Sequence, residues 1–432
     1  MTQQQSTGRA IAIAGLLSIA ALTLVPEPGG PPSPPEWCVV CGGLGVQDII
    51  LNVLLFVPFG FGLRLAGLPW RRAVAIAAGT SLAIELLQMH VVAGRDASLG
   101  DLLTNSTGGV VGVVLADTWR TLLFPTARAA RRAAWCWVGV VAATVALTSW
   151  GERTSLPRTT YWGQWTPELL YMDRFPGALL GSWVEGVPFP QGAMGNSPAF
   201  RALLSSDSVL VAAEVRAGAP TSRMAPIASV FDWRRTEIFL LGQKGRDLVF
   251  TMRANAARAR VRNPAIRLDD VFPTGAGGAG GAGGAGASGA GTLRLEGGKV
   301  RGALVARARR GDGAWRERRI PLTPGLGWSY FVPFEYAFGA ETPWISALWL
   351  AGLLLPLGYW GWTGGSRRDR LVMLAVAALA LALAGPLFGE RATAWWEWAG
   401  AAAGVVVGLA CRMASEGRRA GADDRLPALA LD

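Results

Sequence analysis

The residues best suited to chemistry in this sequence are polar side chains that interrupt otherwise apolar segments. We call them the polar cluster, and they are Asn52, Glu85, Gln88, Arg95, Asp101 and Asn105. Glu85 and Gln88 are three residues apart, so they share one helix face. Asp101 and Asn105 are four residues apart and share another. A charge at the bilayer centre costs about 2.5–3.5 kcal/mol on insertion scales, so such residues favour a functional role.

The polar cluster is compatible with three kinds of chemistry. In the first interpretation it forms a pocket, open to the outer leaflet, that binds a lipid head group or a peptide-like ligand. In the second, Glu85 or Asp101 pairs with Arg95, and the network clamps three helices together. In the third, Glu85 or Asp101 acts as a general acid or base, although no nucleophile or set of metal ligands surrounds either carboxylate in the sequence.

The histidine and cysteine contents restrict the remaining chemistry. His90 is the only histidine of the chain, so a metal site with two histidines is excluded. Residues 151–342 contain neither histidine nor cysteine, which excludes a Ser-His-Asp triad, a cysteine nucleophile and a zinc site there. We therefore predict no cofactor and no metal, and we favour a binding protein over an enzyme.

Cys38 and Cys41 form a Cys-x2-Cys pair after a proline-rich stretch. Thiols outside the cytoplasm tend to oxidise, so the pair favours a local disulfide. Two free thiols are the second interpretation. A redox or metal function is the third, because the βαβ context of a thioredoxin-like site is missing.

The elements that would position these residues are membrane spans. The 432-residue chain is 51% hydrophobic and 16% charged, and its mean hydropathy is +0.31. A run of about 20 apolar residues is long enough to cross a bilayer as a helix. Such runs occupy residues 9–25, 48–67, 71–92, 101–123, 134–150, 343–363, 370–388 and 393–413. Because the first run lacks a small-residue cleavage site, it predicts an uncleaved anchor rather than a signal peptide.

The predicted fold is a polytopic α-helical membrane protein of about eight spans with an inserted all-β sandwich. The predicted domains are an N-terminal anchor (1–25), a Pro-rich outer loop with the cysteine pair (26–47), a three-span unit (48–123), a fifth span (134–150), a β-sandwich (151–342), a second three-span unit (343–413) and a tail (414–432).

Arginine placement predicts the orientation of the spans. Fifteen arginines fall in one set of alternate loops and termini, whereas the opposite short loops contain only Arg95 and Arg391. We therefore predict a multi-pass protein of the bacterial inner membrane, with both termini cytoplasmic and residues 151–342 outside. The formal charge of the chain is +11, and this outer segment has 24 basic and 16 acidic residues. Membrane lipids and an anionic envelope polymer or glycan are the expected partners, and nucleic acid is not.

The segment 151–342 has the sequence pattern of a β-sandwich. Short apolar or alternating runs separated by turn residues predict its strands. They are Ser208–Arg216, Ile227–Phe231, Glu237–Leu241, Leu248–Met252, Thr292–Glu296, Ala303–Arg309 and Trp328–Val332. The predicted turns lie at Asp232, 242–245, Gly297-Gly298 and 311–313. Residues 275–291 are almost entirely glycine and alanine, which predicts a flexible loop between strands.

The spaced polar positions also carry a family resemblance. They read Asn52-x5-Pro58-x-Gly60, then Glu85-x2-Gln88, then Arg95-x2-Ser98-x2-Asp101-x3-Asn105-x2-Gly108. This pattern, over residues 37–122, resembles that of VanZ-like membrane proteins, whose founding member is associated with resistance to the glycopeptide teicoplanin. The resemblance implies a relative of glycopeptide-resistance proteins and no particular mechanism. The stretch Ala228–Arg253 is similar to laminin-G-like, concanavalin A-type sandwiches.

The last three spans repeat features of spans two to four. The counterparts, 296 positions later, of Arg95, Asp101, Gly108 and Gly112 are Arg391, Glu397, Gly404 and Gly408. The positions that match Glu85, Gln88 and Asn105 are apolar, so a second copy would be a scaffold. Chance similarity in a sequence rich in alanine and glycine is the alternative.

Together these features predict a protein of the cell envelope that binds or handles envelope material. The sandwich would recognise an envelope polymer or glycan, and the polar cluster would bind a lipid head group or precursor. An intramembrane hydrolase or transferase acting on lipid-linked envelope material is one alternative. A structural scaffold for an envelope assembly is the other.

Overall fold

Long helices dominate the part of the chain that the structure describes. This computed structural model describes residues 2–26, 37–95, 97–169, 172–188, 190–273, 292–364 and 366–423. Its helices are α1 (Gln3–Thr23), α2 (Gly45–Leu65), α3 (Trp70–His90), α4 (Leu99–Leu123), α5 (Ala127–Glu152), α6 (Ser197–Leu204), α7 (Asn255–Arg258), α8 (Thr342–Gly364), α9 (Arg367–Leu387) and α10 (Trp395–Asp423). Within the described ranges, eight helices are long and apolar enough to cross a membrane, namely α1 to α5 and α8 to α10. The eight predicted spans are therefore confirmed.

The start of α5 shows why hydropathy misplaces some helix ends. The helix begins at Ala127, whereas the apolar run that predicted it begins at residue 134. The hydroxyl of Thr126 accepts a hydrogen bond from the Ala129 N–H at 3.3 Å and caps the first turn. The first turns are rich in arginine, so they are helical without belonging to the apolar run.

The segment between α5 and α8 is an all-β domain, as predicted. Its strands are β1 (Tyr161–Trp165), β2 (Ala178–Val184), β3 (Val187–Pro188), β4 (Gly192–Ala193), β5 (Ser208–Arg216), β6 (Ala225–Asp232), β7 (Glu237–Lys244), β8 (Asp247–Met252), β9 (Ala265–Leu268), β10 (Leu293–Val300), β11 (Ala303–Arg310) and β12 (Arg316–Pro321). They form two six-stranded sheets, ordered β4-β1-β6-β7-β8-β9 and β12-β11-β10-β5-β2-β3. The strand pairs are antiparallel, and apolar side chains between the sheets form a buried core.

The predicted turn at Gly297-Gly298 is wrong, because both glycines lie inside β10. A Cβ atom added to Gly297 would lie 2.5 Å from the ring of Phe250, on the opposite sheet. A Cβ atom on Gly298 would lie 2.1 Å from the carbonyl oxygen of Val209. These glycines therefore permit close packing of the sandwich. The turn follows at Arg301 and Gly302, whose φ angles are positive.

The predicted strand Trp328–Val332 is also wrong. Residues Pro324–Phe331 form a 3-10 helix instead. The Leu326 N–H donates to the carbonyl of Thr323 at 3.1 Å, and the Trp328 indole donates to the hydroxyl of Ser346 at 3.1 Å. These bonds, one within the segment and one to α8, give its polar groups partners without a neighbouring strand. An apolar pattern over five residues does not distinguish the two structures.

The described residues separate into two compact units. The first comprises Met1–Trp119, Thr154–Ile320 and Ser329–Gly339, which is α1 to α4 with the sandwich. The second comprises Arg120–Arg153, Pro321–Trp328 and Ala340–Asp432, which is α5 with α8 to α10. The predicted Gly/Ala loop at 275–291, most of the Pro-rich stretch and residues 424–432 of the predicted tail lie outside the described residues.

Candidate polar site in the first unit

The polar cluster begins at the first turn of α4, where the chain needs hydrogen-bond acceptors. Ser98 precedes this helix, and its hydroxyl accepts from the Asp101 N–H at 2.9 Å, as an N-cap residue does. The Ser98 N–H donates to Oε2 of Glu85 on α3, also at 2.9 Å. Glu85 therefore closes the start of α4, and it is only 7% exposed.

Two asparagines join the remaining helices to this network. Asn52 on α2 donates its Nδ2 to Oδ1 of Asp101 at 2.7 Å. Asn105, one turn after Asp101, donates its Nδ2 to the hydroxyl of Ser81 on α3 at 3.1 Å. The Oδ1 atom of Asn105 is buried and has no hydrogen-bond partner among the described residues. The network thus holds α2, α3 and α4 together and contains one unused buried acceptor.

Gln88 and Arg95 contact the end of α1. The Gln88 amide donates to the carbonyl of Thr23 at 2.9 Å. Arg95 donates its Nε to the carbonyl of Val25 at 3.2 Å and its Nη2 to that of Leu22 at 3.4 Å. The last carbonyls of a helix lack partners within it, and these side chains supply them. Of the six predicted residues, the structure joins Asn52, Glu85, Asp101 and Asn105 through the α4 network, while Gln88 and Arg95 hold α1.

Glycines allow α2 and α4 to approach closely enough for these bonds. A Cβ atom added to Gly108 would lie 2.3 Å from the carbonyl oxygen of Val53. One added to Gly112 would lie 2.2 Å from that of Val57. Small residues of this kind are typical where membrane helices touch backbone to backbone. They set the spacing across which Asn52 reaches Asp101.

The accessibility of the network changes with depth. Asp48, one turn before Asn52, is exposed, and Asn52 and Asp101 are half-buried. Asn105 is only 3% exposed. Asp48, Asn52 and Asp101 are therefore accessible to a ligand, and Asn105 lies buried directly next to them, one helix turn after Asp101.

The sandwich contacts α2 directly above this opening. The N–H groups of Val46 and Gln47 both donate to the carbonyl of Arg260 at 3.2 Å. Oε1 of Gln47 accepts from the Arg262 N–H at 3.1 Å, and its Nε2 donates to the carbonyl of Val332 at 2.8 Å. Gln47 is 1% exposed, and both its amide oxygen and its amide nitrogen are hydrogen-bonded in this joint. Gln47 was not among the predicted residues, although a glutamine beside the start of a span was a visible signal.

Arg262 is the second functional candidate that sequence analysis missed. Its Nε donates to the carbonyl of Val332 at 3.2 Å. Burial lowers the pKa of Arg262, and the charges of Glu335 and Asp48 act in the opposite direction. The guanidinium of Arg262, in the sandwich, therefore interacts electrostatically with the exposed carboxylate of Asp48 on α2. Nothing in the local sequence around Arg262 indicates this neighbour, which lies more than 200 residues away.

The cysteine pair lies next to the same helix start. Cys38 and Cys41 form a disulfide with a Cα–Cα distance of 5.8 Å. The carbonyl of Cys38 accepts from the Gly100 N–H at 3.0 Å. A Cβ atom on Gly100 would lie 2.3 Å from the carbonyl oxygen of Val39. The disulfide loop is thus packed tightly on the first turn of α4. Among the described residues, no three of His, Cys, Asp and Glu are arranged to hold a metal ion.

Comparison with known proteins supports the family resemblance of this unit. Residues 12–120, which cover most of α1 and continue into α4, match the family model described as VanZ/LLP1. The match begins before the sequence motif, which starts at residue 37. It therefore includes part of α1, the helix that Gln88 and Arg95 contact. Neither a search of curated proteins nor a search of solved structures found a match to this chain. The chain is therefore a membrane protein with a VanZ-like segment and an inserted β-sandwich.

Proposed function

We propose that this protein binds an envelope lipid, glycan or lipid-linked precursor through the polar cluster of its VanZ-like segment. In this proposal the protein is a multi-pass protein of the bacterial inner membrane, with both termini cytoplasmic and the sandwich outside. The arginine distribution supports this orientation. The ligand reaches the cluster from the outer leaflet, beneath the sandwich.

The observation that supports the proposal is the unused acceptor Oδ1 of Asn105, which lies next to the accessible carboxylates of Asp48 and Asp101. Asp48 is exposed and Asp101 is half-buried, so both are accessible to ligand donors. Below them, Oδ1 of Asn105 is buried without a partner among the described residues. A buried polar atom without a hydrogen bond costs about 1–3 kcal/mol, so a protein that retains one usually uses it. A ligand hydroxyl, amide or ammonium group would satisfy it.

The sandwich adds a basic and aromatic surface to this proposal. On the outer face of β10 and β11, Arg307 and Arg309 lie 4.8 and 4.9 Å from the ring of Trp315. Arg294 lies 5.5 Å from the ring of Trp183. Flat rings stack on sugars, and guanidinium groups bind phosphate and carboxylate. We propose that this surface binds an anionic polymer or glycan, and that the sandwich is concanavalin A-like.

A helix clamp is the second candidate function of the cluster. It is favoured by the direct bonds from Asn52 to Asp101 and from Ser98 to Glu85, which satisfy most of the polar atoms without any ligand. In that case the cluster would stabilise the VanZ-like helices, and function would belong to the sandwich alone.

Lipid retention in the purified protein distinguishes the two candidates. Native mass spectrometry of wild type and Asp101→Asn should show a bound lipid that decreases about tenfold in the variant, because a charge-assisted bond is lost. The matched control is Asp117→Asn, which changes an exposed carboxylate paired with Arg64 at the other end of the same helix and should retain lipid. Equal retention in Asp101→Asn with a lower melting temperature would make the cluster a clamp.

The family resemblance adds a phenotype to the proposal. If the ligand is a cell-wall precursor, expression in a sensitive bacterium should raise the minimum inhibitory concentration of teicoplanin. Asp101→Asn should remove this effect while Asp117→Asn keeps it. An unchanged inhibitory concentration with wild type would separate this protein from glycopeptide resistance without deciding its ligand.

A further inference from the structure

Arg262 is held by the backbone and by α2, which leaves its terminal nitrogens for a ligand. Its N–H bonds Gln47, and its Nε bonds the carbonyl of Val332. Val46, in the same turn of α2, packs against an apolar cluster of Ala256, Val261 and Tyr330. The guanidinium of Arg262 is therefore fixed relative to α2 by hydrogen bonds and by an apolar joint. Its two terminal amino groups have no hydrogen-bond partner in the described part of the chain.

The charges around Arg262 have both signs. Asp48 is exposed on α2 and is in electrostatic range of both Arg262 and Asp101. Glu335 also faces Arg262, but it forms an ion pair with Lys244. The opening formed by Arg262, Asp48 and Asp101 thus presents one guanidinium with donors, and two carboxylates with acceptors, that have no partner among the described residues. A ligand that matches it carries an anionic group and hydrogen-bond donors close together.

We propose that Arg262 binds the phosphate of a phosphorylated head group, while Asp48 and Asp101 accept hydrogen bonds from its hydroxyl or ammonium groups. This inference rests on the proposed function and assigns its ligand class. A guanidinium binds phosphate through paired N–H donors, which favours phosphate over an uncharged polar group. The carboxylates disfavour a head group that is anionic throughout. A phosphate ester with a polyol or an amine meets both conditions.

The test compares probes with and without phosphate on one purified protein. Delipidated wild type is titrated with phosphatidylglycerol, phosphatidylethanolamine and diacylglycerol, and bound lipid is counted by native mass spectrometry. Arg262→Gln should reduce binding of the two phospholipids about tenfold and leave diacylglycerol binding unchanged. The matched control is Arg258→Gln, which changes an exposed arginine at the end of α7 and should bind like wild type.

The outcomes of this titration distinguish a failure of the role of Arg262 from a failure of the proposed binding site. Retention of phospholipid by Arg262→Gln, together with its loss in Asp101→Asn, would refute the role of Arg262 and leave the cluster as a site. Retention by both variants would refute both. If Arg262→Gln destabilises the protein, all three probes decrease together, and that result also contradicts a phosphate-specific role. Glycerol 3-phosphate as a competitor separates recognition of the head group from recognition of the chains, because only head-group recognition allows it to displace lipid.

A second inference follows from a separate observation, which is that the helices of the two units bury the same positions. On α3 the buried residues include Ala77, Ser81, Glu85 and Gln88, and on α9 they include Met373, Ala377, Leu381 and Ala384, each 296 positions later. On α1 they are Gly8, Ala12, Gly15 and Ile19, and on α5 they include Ala134, Val138, Val141 and Val145, each 126 positions later.

The closest helix contacts recur in the same way. Added Cβ atoms on Gly108 and on Gly404 would lie 2.3 and 2.1 Å from the carbonyl oxygens of Val53 and Ala351. Those on Gly112 and Gly408 would lie 2.2 and 2.1 Å from the carbonyl oxygens of Val57 and Leu355. On α4 and α10 the glycine pairs are separated by 296 positions, and on α2 and α8 their partners are separated by 298. Chance similarity does not produce matching contacts at constant offsets in four helices.

We infer that the second unit is a copy of the four VanZ-like helices in which the polar site is sealed by the chain itself. Glu397 replaces Asp101 and is fully buried. Its Oε1 accepts from the hydroxyl of Thr323, and its Oε2 accepts from the Ala394 N–H at 3.0 Å. Ala394 corresponds to Ser98, whose N–H bonds Glu85 in the first unit. Since Leu381 stands where Glu85 would be, the longer side chain of Glu397 reaches back to this amide.

A double-mutant experiment tests this exchange of roles. Glu397→Asp shortens the side chain, so the Ala394 N–H should lose its acceptor and the melting temperature should fall. Leu381→Glu in the same protein should restore part of the loss, because the first unit supplies the acceptor from that position. Leu383→Glu, at an exposed apolar position of the same helix, is the control and should restore nothing. A double variant no more stable than Glu397→Asp would overturn the inference, as would a Glu397→Asp variant as stable as wild type.

Discussion

At the scale of single residues, Asn105 distinguishes a binding site from a helix clamp. A clamp is improved when every buried polar atom is paired, because an unpaired acceptor costs free energy on folding. Asn105 donates to Ser81, but its Oδ1 atom has no partner in the described structure. The same apolar surroundings that make this atom costly would strengthen a hydrogen bond from a ligand.

Replacement of Asn105 by leucine should therefore separate stability from binding. The lipid-free Asn105→Leu protein should melt at or near the wild-type temperature, because the lost bond to Ser81 is offset by removal of the unpaired acceptor. The rise in melting temperature that lipid causes in wild type should disappear. Thermal unfolding in detergent, with and without lipid, measures both. Thr107→Val, at an exposed position of the same helix, should keep the rise, and a rise in Asn105→Leu equal to that of wild type would contradict the prediction.

The residue-scale features differ in how far the sequence could reveal them. Asn52, Glu85, Asp101 and Asn105 were predictable because helix periodicity places them on facing surfaces of neighbouring helices. The roles of Gln47 and Arg262 were not, since they depend on contact between segments more than 200 residues apart. Gln88 and Arg95 were predicted, but their partners at the C-terminal end of α1 were not. The last carbonyls of a helix need donors, and this need does not specify which side chain supplies them.

At the scale of elements, the glycines between α2 and α4 control the polar cluster. Gly108→Ala would place a Cβ atom 2.3 Å from the carbonyl oxygen of Val53, so the helices must separate. We expect a destabilisation of about 1–3 kcal/mol, typical of overpacking, together with loss of bound lipid as Asn52 moves away from Asp101. Gly139→Ala in α5, where nothing lies within 4 Å of an added Cβ atom, is the matched control.

The measurement for Gly108→Ala is folded yield and melting temperature by size-exclusion chromatography with fluorescence detection. Gly139→Ala should match or exceed wild type, because alanine is the better helix former. If both variants have the same folded yield and melting temperature, the close α2–α4 contact at Gly108 does not determine the stability of the protein.

The strands show which elements a sequence can reveal. The run Ser208–Arg216 was predicted with its observed bounds, because apolar and polar side chains alternate along it. The strand β12, with the sequence RERRIP, was missed because it lies at the edge of its sheet and most of its side chains are exposed or half-buried. A glycine pair was mistaken for a turn because close packing and chain reversal both require glycine.

At the scale of the whole molecule, one question is whether the sandwich binds a polymer independently of the polar cluster. The outer face of β10 and β11 contains arginines that differ in their partners. Arg294 and Arg307 both bond Glu296, at 3.1 and 2.5 Å, so their charges are partly neutralised. Arg309 stacks on Trp315, and among the described residues it forms no ion pair with Glu296 or another carboxylate. Arg309 is therefore the cation most available to an anionic ligand on this face.

Removal of this charge should weaken polymer binding without affecting lipid retention. Full-length Arg309→Gln should elute from heparin-agarose, used as an anionic probe, at lower salt than wild type, and should bind less to isolated cell-wall sacculi. The effect should shrink as ionic strength rises, because salt screens exposed charges over about 10 Å at 0.1 M. Arg174→Gln removes an exposed arginine that is paired with Glu168, and it should elute closer to wild type. Elution of both variants at the same salt would show that only net charge matters. Loss of lipid in Arg309→Gln would show that the sandwich surface and the cluster do not act separately.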